Sequence, residues 1–446
     1  MMPTKDRLFE IWFALRCGIA NKEFQPLLEA FGTPYDLFNA DEAEIEALPC
    51  SDTLKARLHD KSLAEATRIN AYCKENGVGI LFWQDEDYPS SLRPLRDPPV
   101  LLYYLGTLPE LSRRLCISVV GTRSMSEYGK RMAYKIGYEL ASAGTVVVSG
   151  LALGNDSVAT AGAIAANGQT VAVLGCGIDI IYPREHEKLA HEILRRGAVM
   201  TEYPPATPPE GRNFPIRNRI ISGLSQGTVV VEGDLRSGSL ITAKTAILQG
   251  RDIYAFPGNV GETNSTGTNQ LISDGAAIVL RARDVLENYS FLYRDALDMA
   301  RLLKAETRSE PDDGLLARLE VSTRVTPTGR RSTSTPSAGS KHSTRPPRGK
   351  PEGKPTPSPA PKEEEREPPA APPVSVPARG DASERILKNL TDTQRRIFEA
   401  LPLDHAVPID AITREGFSVG EVMAAMTILE IHGLTVTLPG GLYARK

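Results

Sequence analysis

Short runs of consecutive apolar residues, rich in Val and Ile, alternate with amphipathic segments between residues 117 and 280. Such runs predict strands of a parallel sheet, because a strand covered by helices on both faces has no polar side. The predicted strands are Ile117–Gly121, Thr145–Ser149, Thr170–Gly175, Ala198–Thr201, Thr228–Glu232, Asp252–Phe256 and Ala277–Leu280. The predicted helices are Tyr128–Ala143, Ser157–Asn167, Glu185–Arg195, Leu240–Leu248 and Thr268–Ser273. This order predicts an α/β fold: an extended Rossmann-like, doubly wound and mostly parallel sheet whose ligands bind at the carboxyl ends of the strands.

The segments on either side of this sheet follow different patterns. Apolar residues at helical spacing, beginning with Leu8, Ile11 and Trp12, predict a small N-terminal helical domain over residues 1–76. The sheet domain is assigned to residues 77–304. Fourteen of the chain's 34 prolines lie between Pro327 and Pro377. Because such a segment contains too little apolar surface to offset the entropy of ordering, residues 305–382 are predicted to be a disordered linker.

The tail, residues 383–446, returns to a pattern of folded elements. Its predicted elements are a helix from Thr391 to Ala400, a helix from Pro408 to Arg414, a helix from Val419 to Ile431, and a hairpin of Leu434–Leu438 and Leu442–Ala444. Three helices and a hairpin indicate a winged helix. Its third helix has no Arg or Lys at the positions expected to face outward, which are Glu421, Met423, Met426, Thr427 and Glu430. Base readout normally needs basic or amide side chains, so we interpret this domain as a protein-interaction domain.

Composition and charge add few constraints. The chain has 446 residues and a formal net charge of −3, so any basic surface must be local. The five cysteines lie far apart and no His/Cys cluster has zinc spacing, which argues against a metal site or a disulfide framework. No apolar run approaches the roughly 20 residues that span a bilayer, and Asp6 and Glu10 disfavour a secretory signal. We therefore expect a cytoplasmic protein with no membrane span.

Four loops that contain glycine or serine follow predicted strands and form the first candidate site. Each loop alone satisfies only what a tight crossover turn requires, but parallel strands bring all four to one edge of the sheet. Backbone N–H groups at such turns and at helix N-termini bind anions. The candidate phosphate-loop residues are Gly121, Ser124, Gly150, Gly154, Gly175, Gly177, Ser237, Gly238 and Ser239.

A second signal precedes the strand Thr228–Glu232, where an aromatic residue stands among arginines. The segment contains Arg212, Phe214, Arg217, Asn218 and Arg219, and a short apolar helix or turn is predicted after it. Arginine neutralises phosphates, and an aromatic ring stacks on unpaired bases. Together with the loops, this segment predicts a site for single-stranded nucleic acid.

Catalytic groups are harder to identify. His186 and His191 have no neighbouring Cys or carboxylate pair, and Ser237 and Ser239 lack a base in the sequence. Glu232 and Asp234 are the best acidic candidates, but a role in the electrostatics of a helix start explains them more simply. The P-loop pattern GxxxxGK[ST] does not occur in the sequence. We therefore expect a binding protein without a cofactor, not an enzyme.

A series of short motifs runs through the chain in a fixed order. They are Asp85, Tyr88 and Pro89; Pro98–Leu101; Val119–Arg123; Val173–Asp179; Asn213 and Phe214; Arg217–Ile221; Ser237–Ala243; and Pro257 with Gly258. In this order they resemble the DprA (Smf) proteins, the DNA-processing factors of natural transformation. The helical start is similar to that family's sterile-alpha-motif or helix–hairpin–helix-like module, and the tail is similar to its winged helix.

The resemblance implies a homodimer that holds single-stranded DNA in a basic pocket, protects incoming DNA and loads the RecA recombinase where single-strand-binding protein was bound. By motif match, Arg123, Phe214, Arg217 and Arg219 lie in or beside that pocket. The chain also departs from the family's SGLARGID loop and the Ala-His that follows it. Leu153 replaces the basic residue, Asn155 the aliphatic one and Thr160 the histidine. A DNA-facing charge is therefore absent or supplied elsewhere, for instance by Lys130 or Lys244.

Two alternatives stay open at this point. The first is a Rossmann-type nucleotide-binding or nucleotide-hydrolysing enzyme, akin to the cytokinin-activating phosphoribohydrolases. Their PGGxGT-like loop is replaced here by the sequence from Glu232 to Ser239. The second is a transcription factor that acts through the winged helix.

Overall fold

A computed structural model of the chain describes residues 7–321, 390–402, 407–408, 412–413, 417, 422, 425–426, 428–430, 434–438 and 442–445. The chain divides into two compact units, residues 1–337 and residues 338–446.

The first unit is built on a nine-stranded sheet with the order β1-β2-β6-β5-β4-β3-β7-β8-β9. The strands are β1 (Gly79–Phe82), β2 (Leu101–Gly106), β3 (Cys116–Val120), β4 (Val146–Ser149), β5 (Thr170–Val173), β6 (Ala198–Thr201), β7 (Gly227–Val230), β8 (Asp252–Ala255) and β9 (Ala277–Ile278). β2 pairs antiparallel with both β1 and β6, and all other pairs are parallel. The seven strands predicted from the apolar runs correspond to β3 to β9, whereas the sequence reading did not assign β1 and β2.

Helices cover the sheet and precede it. The first six are α1 (Leu8–Cys17), α2 (Phe24–Phe31), α3 (Pro34–Asn39), α4 (Glu42–Glu46), α5 (Asp52–Leu58) and α6 (Ala64–Glu75). Those within or after the sheet are α7 (Glu127–Ser142), α8 (Asn155–Ala165), α9 (Glu187–Leu194), α10 (Asn213–Leu224), α11 (Gly238–Leu248), α12 (Thr263–Ser273), α13 (Ala282–Leu286), α14 (Met299–Ala305) and α15 (Asp313–Arg318).

Alternate residues of the central strands belong to two different apolar cores. In β3, Ile117 and Val119 pack with α7, α8 and α9, while Cys116 and Val120 pack with α10, α11 and α12 on the other face. Because both faces are buried, the strands carry continuous apolar runs and not an alternating pattern. The predicted doubly wound α/β fold is therefore confirmed.

The N-terminal helices pack directly on the sheet. Phe13 lies 6.3 Å from Phe82 between ring centroids, and Phe24 lies 5.6 Å from Trp83. These rings belong to the helices and to the first sheet strand and its end, so the apolar core continues across residue 76. The predicted helical module is present, but it shares its core with the sheet.

The folded part of the first unit extends beyond the predicted boundary at residue 304. α14 and α15 pack against α7 and α8, and Leu316 and Leu319 are buried. The prediction that a linker begins at residue 305 is wrong for residues 305–321, because these residues carry enough apolar side chains to bury. Residues 322–382 of that predicted linker lie outside the described residues.

Within its described residues, the second unit contains the helix α16 (Asp392–Ala400) and the strands β10 (Val407–Pro408), β11 (Thr435–Leu438) and β12 (Leu442–Arg445), and residues 412–413 and 428–430 are also helical. The strand order is β10-β12-β11, and both pairs are antiparallel. Pro408 was predicted to begin a helix but lies in β10 opposite Leu442. On the predicted third helix, Met426 is buried and Glu430 is exposed, while Glu421, Met423 and Thr427 lie outside the described residues.

Candidate functional site

The four candidate loops follow β3, β4, β5 and β7, which are neighbours in the sheet. The chain winds in one direction from β3 through β4 and β5, and in the other direction through β7, so the strand order reverses between β3 and β7. Ligands of open α/β sheets bind at such a point, outside the carboxyl ends of the strands. The backbone N–H of Thr122 donates to the carbonyl of Glu232 at 2.8 Å and joins the two loops there. The predicted convergence of the loops is confirmed.

The arginine-rich segment lies within α10 itself and does not precede a helix. At about 3.6 residues per turn, Phe214 and Arg217 lie on one side of the helix, one turn apart. Arg219 lies two residues further, roughly 200° around the axis. The cluster that the sequence suggests is thus divided between two faces of α10.

Phe214 forms an aromatic pair with Tyr182 at the edge of the sheet. The ring centroids are 5.5 Å apart and the planes are inclined by 38°. Tyr182 is 41 % exposed and Phe214 is half-buried. A Cβ on Gly175 would lie 2.9 Å from Cδ1 of Phe214, so the glycine makes room for the ring. The sequence reading did not assign Tyr182 to the site, although its position directly after the third loop was a usable signal.

Arg123 supplies an exposed positive charge beside this pair. Its guanidinium carbon lies 5.8 Å from the centroid of the Phe214 ring, and no ion-pair partner of Arg123 occurs among the described residues. The loop after β4 packs against it, because a Cβ on Gly154 (φ +83°) would overlap the carbonyl of Thr122 and approach Cα of Arg123 to 2.8 Å. Arg123, Phe214 and Tyr182 therefore form one surface, which we call the arginine–aromatic surface.

Arg217 does not belong to that surface, because only 4 % of it is exposed. Its Nη1 donates to the carbonyl of Gly150 at 2.9 Å and to the carbonyl of Val173. Burial lowers the pKa of Arg217 to about 10, and the nearby carboxylate of Asp156 opposes the change. The side chain stays protonated at neutral pH and ties the ends of β4 and β5 together. Its guanidinium carbon also lies 5.8 Å from the centroid of the Phe214 ring, so Arg217 lies beside the site as predicted. The prediction that it contacts DNA directly is corrected, because the side chain is buried.

Arg219 is also buried, on the other side of α10. It forms an ion pair with Glu202 at 2.5 Å and a longer one with Asp97 at 3.6 Å. Glu202 accepts the backbone N–H of Ala20 at 3.3 Å, so the pair also holds the N-terminal helices. Burial raises the pKa of Glu202, and Arg219 opposes the rise. The prediction that Arg219 contacts DNA is therefore corrected as well.

The other predicted polar residues occupy varied environments. Arg212 is exposed and pairs with Glu210 at 2.6 Å. Asn218 is half-buried and accepts a bond from Nε of Arg217 at 3.2 Å. Of the two lysines considered as substitutes for the missing charge, Lys130 pairs with Asp313 at 2.7 Å, whereas Lys244 is exposed on α11.

The positions that depart from the family loop pack inside the protein. Thr160 is buried and donates to the carbonyl of Asp156 at 2.9 Å. Asn155 is buried and donates to the carbonyl of Gly129 at 3.1 Å. Leu153 is half-buried. None of these three side chains carries a charge that replaces the missing basic residue.

Most of the predicted phosphate loops use their N–H groups internally. The N–H groups of Gly121 and Gly150 both donate to the buried carboxylate of Asp156, at 3.2 and 3.0 Å. The N–H of Ser124 donates to the hydroxyl of Thr122 at 3.2 Å, and that of Gly177 to the carbonyl of Thr207 at 2.9 Å. These four groups are not free for a phosphate, which corrects the prediction for them.

The fourth loop differs only in part. The N–H of Ser237 donates to the carbonyl of Asp234 at 3.1 Å and that of Ser239 to the hydroxyl of Ser237 at 3.4 Å, but Gly238, the first residue of α11, faces open space. Ser237 is the N-cap of α11, its hydroxyl lies 2.8 Å from that of Ser239, and no acidic residue occupies the first turn. A Cβ on Gly238 would meet no atom within 4 Å. The helix dipole at the start of α11 therefore favours an anion. This helix follows β7, the neighbour of β3, whose loop carries Arg123.

Within the described ranges, no helix is long and apolar enough to cross a membrane. In the same part of the chain, no three His, Cys, Asp or Glu side chains are grouped so that they could hold a metal ion.

The fold and this edge of the sheet define an extended Rossmann protein with an exposed arginine–aromatic surface. A family model described as DNA recombination-mediator protein A matches residues 79–290, and one described as DprA winged helix domain matches residues 354–441. The chain belongs to the DprA/Smf family.

Individual relatives agree with this assignment. The DNA processing protein DprA of Bacillus subtilis is 40 % identical over 220 residues, covering 49 % of this chain and 74 % of the relative. Protein Smf of Synechocystis is 32 % identical over 429 residues, covering 94 % of this chain and 95 % of the relative. The crystal structure of DprA from Streptococcus pneumoniae aligns with a TM-score of 0.56 and 33 % identity, covering 63 % of this chain and 96 % of that one.

Proposed function

We propose that this chain is a recombination mediator that binds single-stranded DNA in the cytoplasm, protects it and loads RecA on it without catalytic turnover. The observation that carries the proposal is the arginine–aromatic surface at the strand ends. Arg123 meets a phosphate, and the rings of Phe214 and Tyr182 meet unpaired bases. The description of the matched family as a recombination mediator supports the same role.

The proposed contacts favour a single strand of any sequence. Every base has a π-face, and stacking on an aromatic side chain contributes about 1–3 kcal/mol per base. The bases of a duplex are already stacked on each other, so their faces are not available to an aromatic side chain. Arg123 would add an electrostatic contribution that weakens as salt rises.

Oligo-dT titrations followed by fluorescence anisotropy test the DNA contact. Phe214→Ala should weaken binding about 5- to 150-fold, the equivalent of 1–3 kcal/mol. Arg123→Ala should weaken binding and reduce the slope of log K against log salt by about 0.7, the amount for one phosphate. Arg195→Ala is the control: it removes an exposed arginine at the end of α9, near the amino ends of the strands and away from the proposed surface. This variant should bind like the wild type. If the Arg123 and Phe214 variants also bound like the wild type, the proposed surface would be wrong.

The mediator role needs a separate test with the partners. Purified protein is added to RecA and to strands already coated with single-strand-binding protein, and RecA filament growth is followed by ATP hydrolysis. We expect the wild type to shorten the lag before ATP hydrolysis by RecA begins. The Arg123→Ala variant should leave this lag as it is without added protein. DNA binding without any effect on the lag would limit the proposal to a DNA-binding protein.

We also propose that the protein works as a homodimer. Exposed apolar residues on the end of α11 and around β9 support this: Ile247, Leu248, Ile278 and Leu280. β9 is an edge strand of the sheet, and an apolar edge that is open to solvent favours pairing with another chain.

A further inference from the structure

Glu232 is a buried carboxylate at the switch point, the place between β3 and β7 where the strand order of the sheet reverses. The proposed DNA contacts do not use it. It follows β7 and is only 2 % exposed. One carboxylate oxygen accepts the backbone N–H of Ser126 at 3.0 Å, and the other accepts the Ser126 hydroxyl at 2.5 Å. Ser126 is the N-cap of α7. The carboxylate thus lies against the start of the helix that follows β3.

That position has a known chemical preference in this class of fold. The turn from the first parallel strand into its helix binds a phosphate of a nucleotide, because free N–H groups and the helix dipole both point there. Here β3 and α7 form the turn, and Glu232 arrives from β7 across the switch point. A negative group of the protein itself therefore occupies a position suited to an external anion.

Two further features show that this position is built around the internal carboxylates. A Cβ on Gly129 in the first turn of α7 would overlap the Glu232 carboxylate, so a glycine leaves it room. A second buried carboxylate, that of Asp156, takes the N–H groups of Gly121 and Gly150 on the adjoining loops. Donors that would face a nucleotide phosphate are satisfied by the chain.

We propose that Glu232 is a specificity-determining residue that replaces a bound phosphate and closes the crevice between β3 and β7 to free nucleotides and inorganic phosphate. Ligands are then restricted to the outer surface of the loops, where a polymer is held by exposed side chains. This inference goes beyond the proposed function, since a DNA-binding protein need not exclude mononucleotides. It also explains why the chain has the fold of nucleotide-binding proteins without an open phosphate site at this turn.

The test removes the carboxylate and supplies an external anion. Thermal unfolding of the full chain is measured in phosphate and in chloride at equal ionic strength, for the wild type, Glu232→Ala and a control, Glu127→Ala. Glu127 is an exposed acid in the first turn of α7 for which no bond to the helix N–H groups is found. Phosphate excluded from the protein surface stabilises all three to a similar extent. We expect an additional, saturable rise in the melting temperature for Glu232→Ala alone.

Equilibrium dialysis with AMP and with adenosine gives a second readout. The wild type should bind neither, and Glu232→Ala should bind AMP but not adenosine, because the vacated position takes the phosphate. Glu232→Gln should bind neither, since its amide still fills the space. Equal phosphate responses in all variants, or AMP binding by the wild type that depends on its phosphate, would overturn the proposal.

Loss of folding would also be informative. If Glu232→Ala does not fold in chloride, refolding is attempted in phosphate, and Glu232→Ser is tested in the same way as a smaller polar replacement. Recovery in phosphate but not in sucrose, which stabilises proteins by exclusion alone, supports the proposal. Equal recovery in phosphate and in sucrose, or failure of both variants in both salts, contradicts it. Oligo-dT binding is measured separately with the wild type, so the DNA-binding proposal and this one can fail independently.

Discussion

At the scale of single residues, a buried histidine holds the loop after β4. His186 is fully buried, and its Nδ1 lies 2.9 Å from the carbonyl of Leu151. Leu151 has φ +54°, an unfavourable conformation for a side chain branched beyond Cβ. The imidazole donates to this carbonyl from Nδ1 and so supports the strained turn at Leu151. This turn leads to Gly154, which packs against Arg123. His186 is therefore a positioning residue for the loop.

The protonation of His186 predicts how stability depends on pH. Burial lowers the pKa of His186, and the bond to Leu151 and the charge of Glu185 oppose the change. A group with a lowered pKa in the folded state contributes stability above its ordinary value of about 6.5, and this stability is lost as the pH falls through the folded pKa. His186→Asn keeps an N–H near the position of Nδ1 but does not titrate.

The measurement is the free energy of unfolding in urea at pH 7.5 and at pH 5.5. We expect the wild type to lose more stability than His186→Asn over this interval, by up to about 1.4 kcal/mol for each pH unit below the ordinary pKa. Equal losses in the two proteins would show that His186 does not cause the loss of stability between pH 7.5 and pH 5.5.

At the scale of elements, the sequence predicts the sheet better than the site. Continuous apolar runs identify β3 to β8 because burial leaves a strong local signal, and an apolar run also identifies β9 although both of its residues are exposed. The strands that the sequence reading did not assign, β1 and β2, are the antiparallel strands at one end of the sheet. The arginines of α10 could not be sorted without the helix phase, which sends Arg217 and Arg219 to opposite sides. The occupied N–H groups could not be recognised either, because Asp156 and Glu232 reach them from 35 and 106 residues away in the chain.

The two arginine environments predict different effects of mutation. Arg217→Ala leaves the carbonyls of Gly150 and Val173 without their donor and Asp156 without a nearby positive charge. Removing one member of such a buried charged group costs about 3–5 kcal/mol of folding stability. Arg123 is exposed, so Arg123→Ala should change stability by no more than about 0.5 kcal/mol.

Urea unfolding and oligo-dT anisotropy on the same preparations check this contrast. We expect the Arg217 variant to lose stability together with DNA affinity, and the Arg123 variant to lose DNA affinity alone. An Arg217 variant as stable as the wild type but deficient in DNA binding would restore Arg217 to the DNA-facing set.

At the scale of the whole molecule, the two edges of the sheet differ in how they are covered. β1 lies next to the N-terminal helices, with Phe82 packed near Phe13. Both residues of β9 are exposed, and Leu248 at the end of α11 is 88 % exposed. A second copy of the chain would cover these side chains and remove the open edge.

This difference predicts the effect of a charge at the open edge. Leu248→Glu would place a carboxylate in the proposed contact between two chains, where it loses its hydration without gaining a partner. Leu303→Glu, at an exposed leucine on α14, is the matched control. Light scattering on purified proteins should give twice the 48.4 kDa of one chain for the wild type and for the Leu303 variant, and a single chain for the Leu248 variant. A wild type that is a monomer at micromolar concentration, or a Leu248 variant that stays dimeric, would exclude this surface as the dimer contact. Because the arginine–aromatic surface lies on α10 and on the loops after β3 and β5, the Leu248 monomer should keep its contact with a short oligonucleotide, while each particle would hold one strand instead of two.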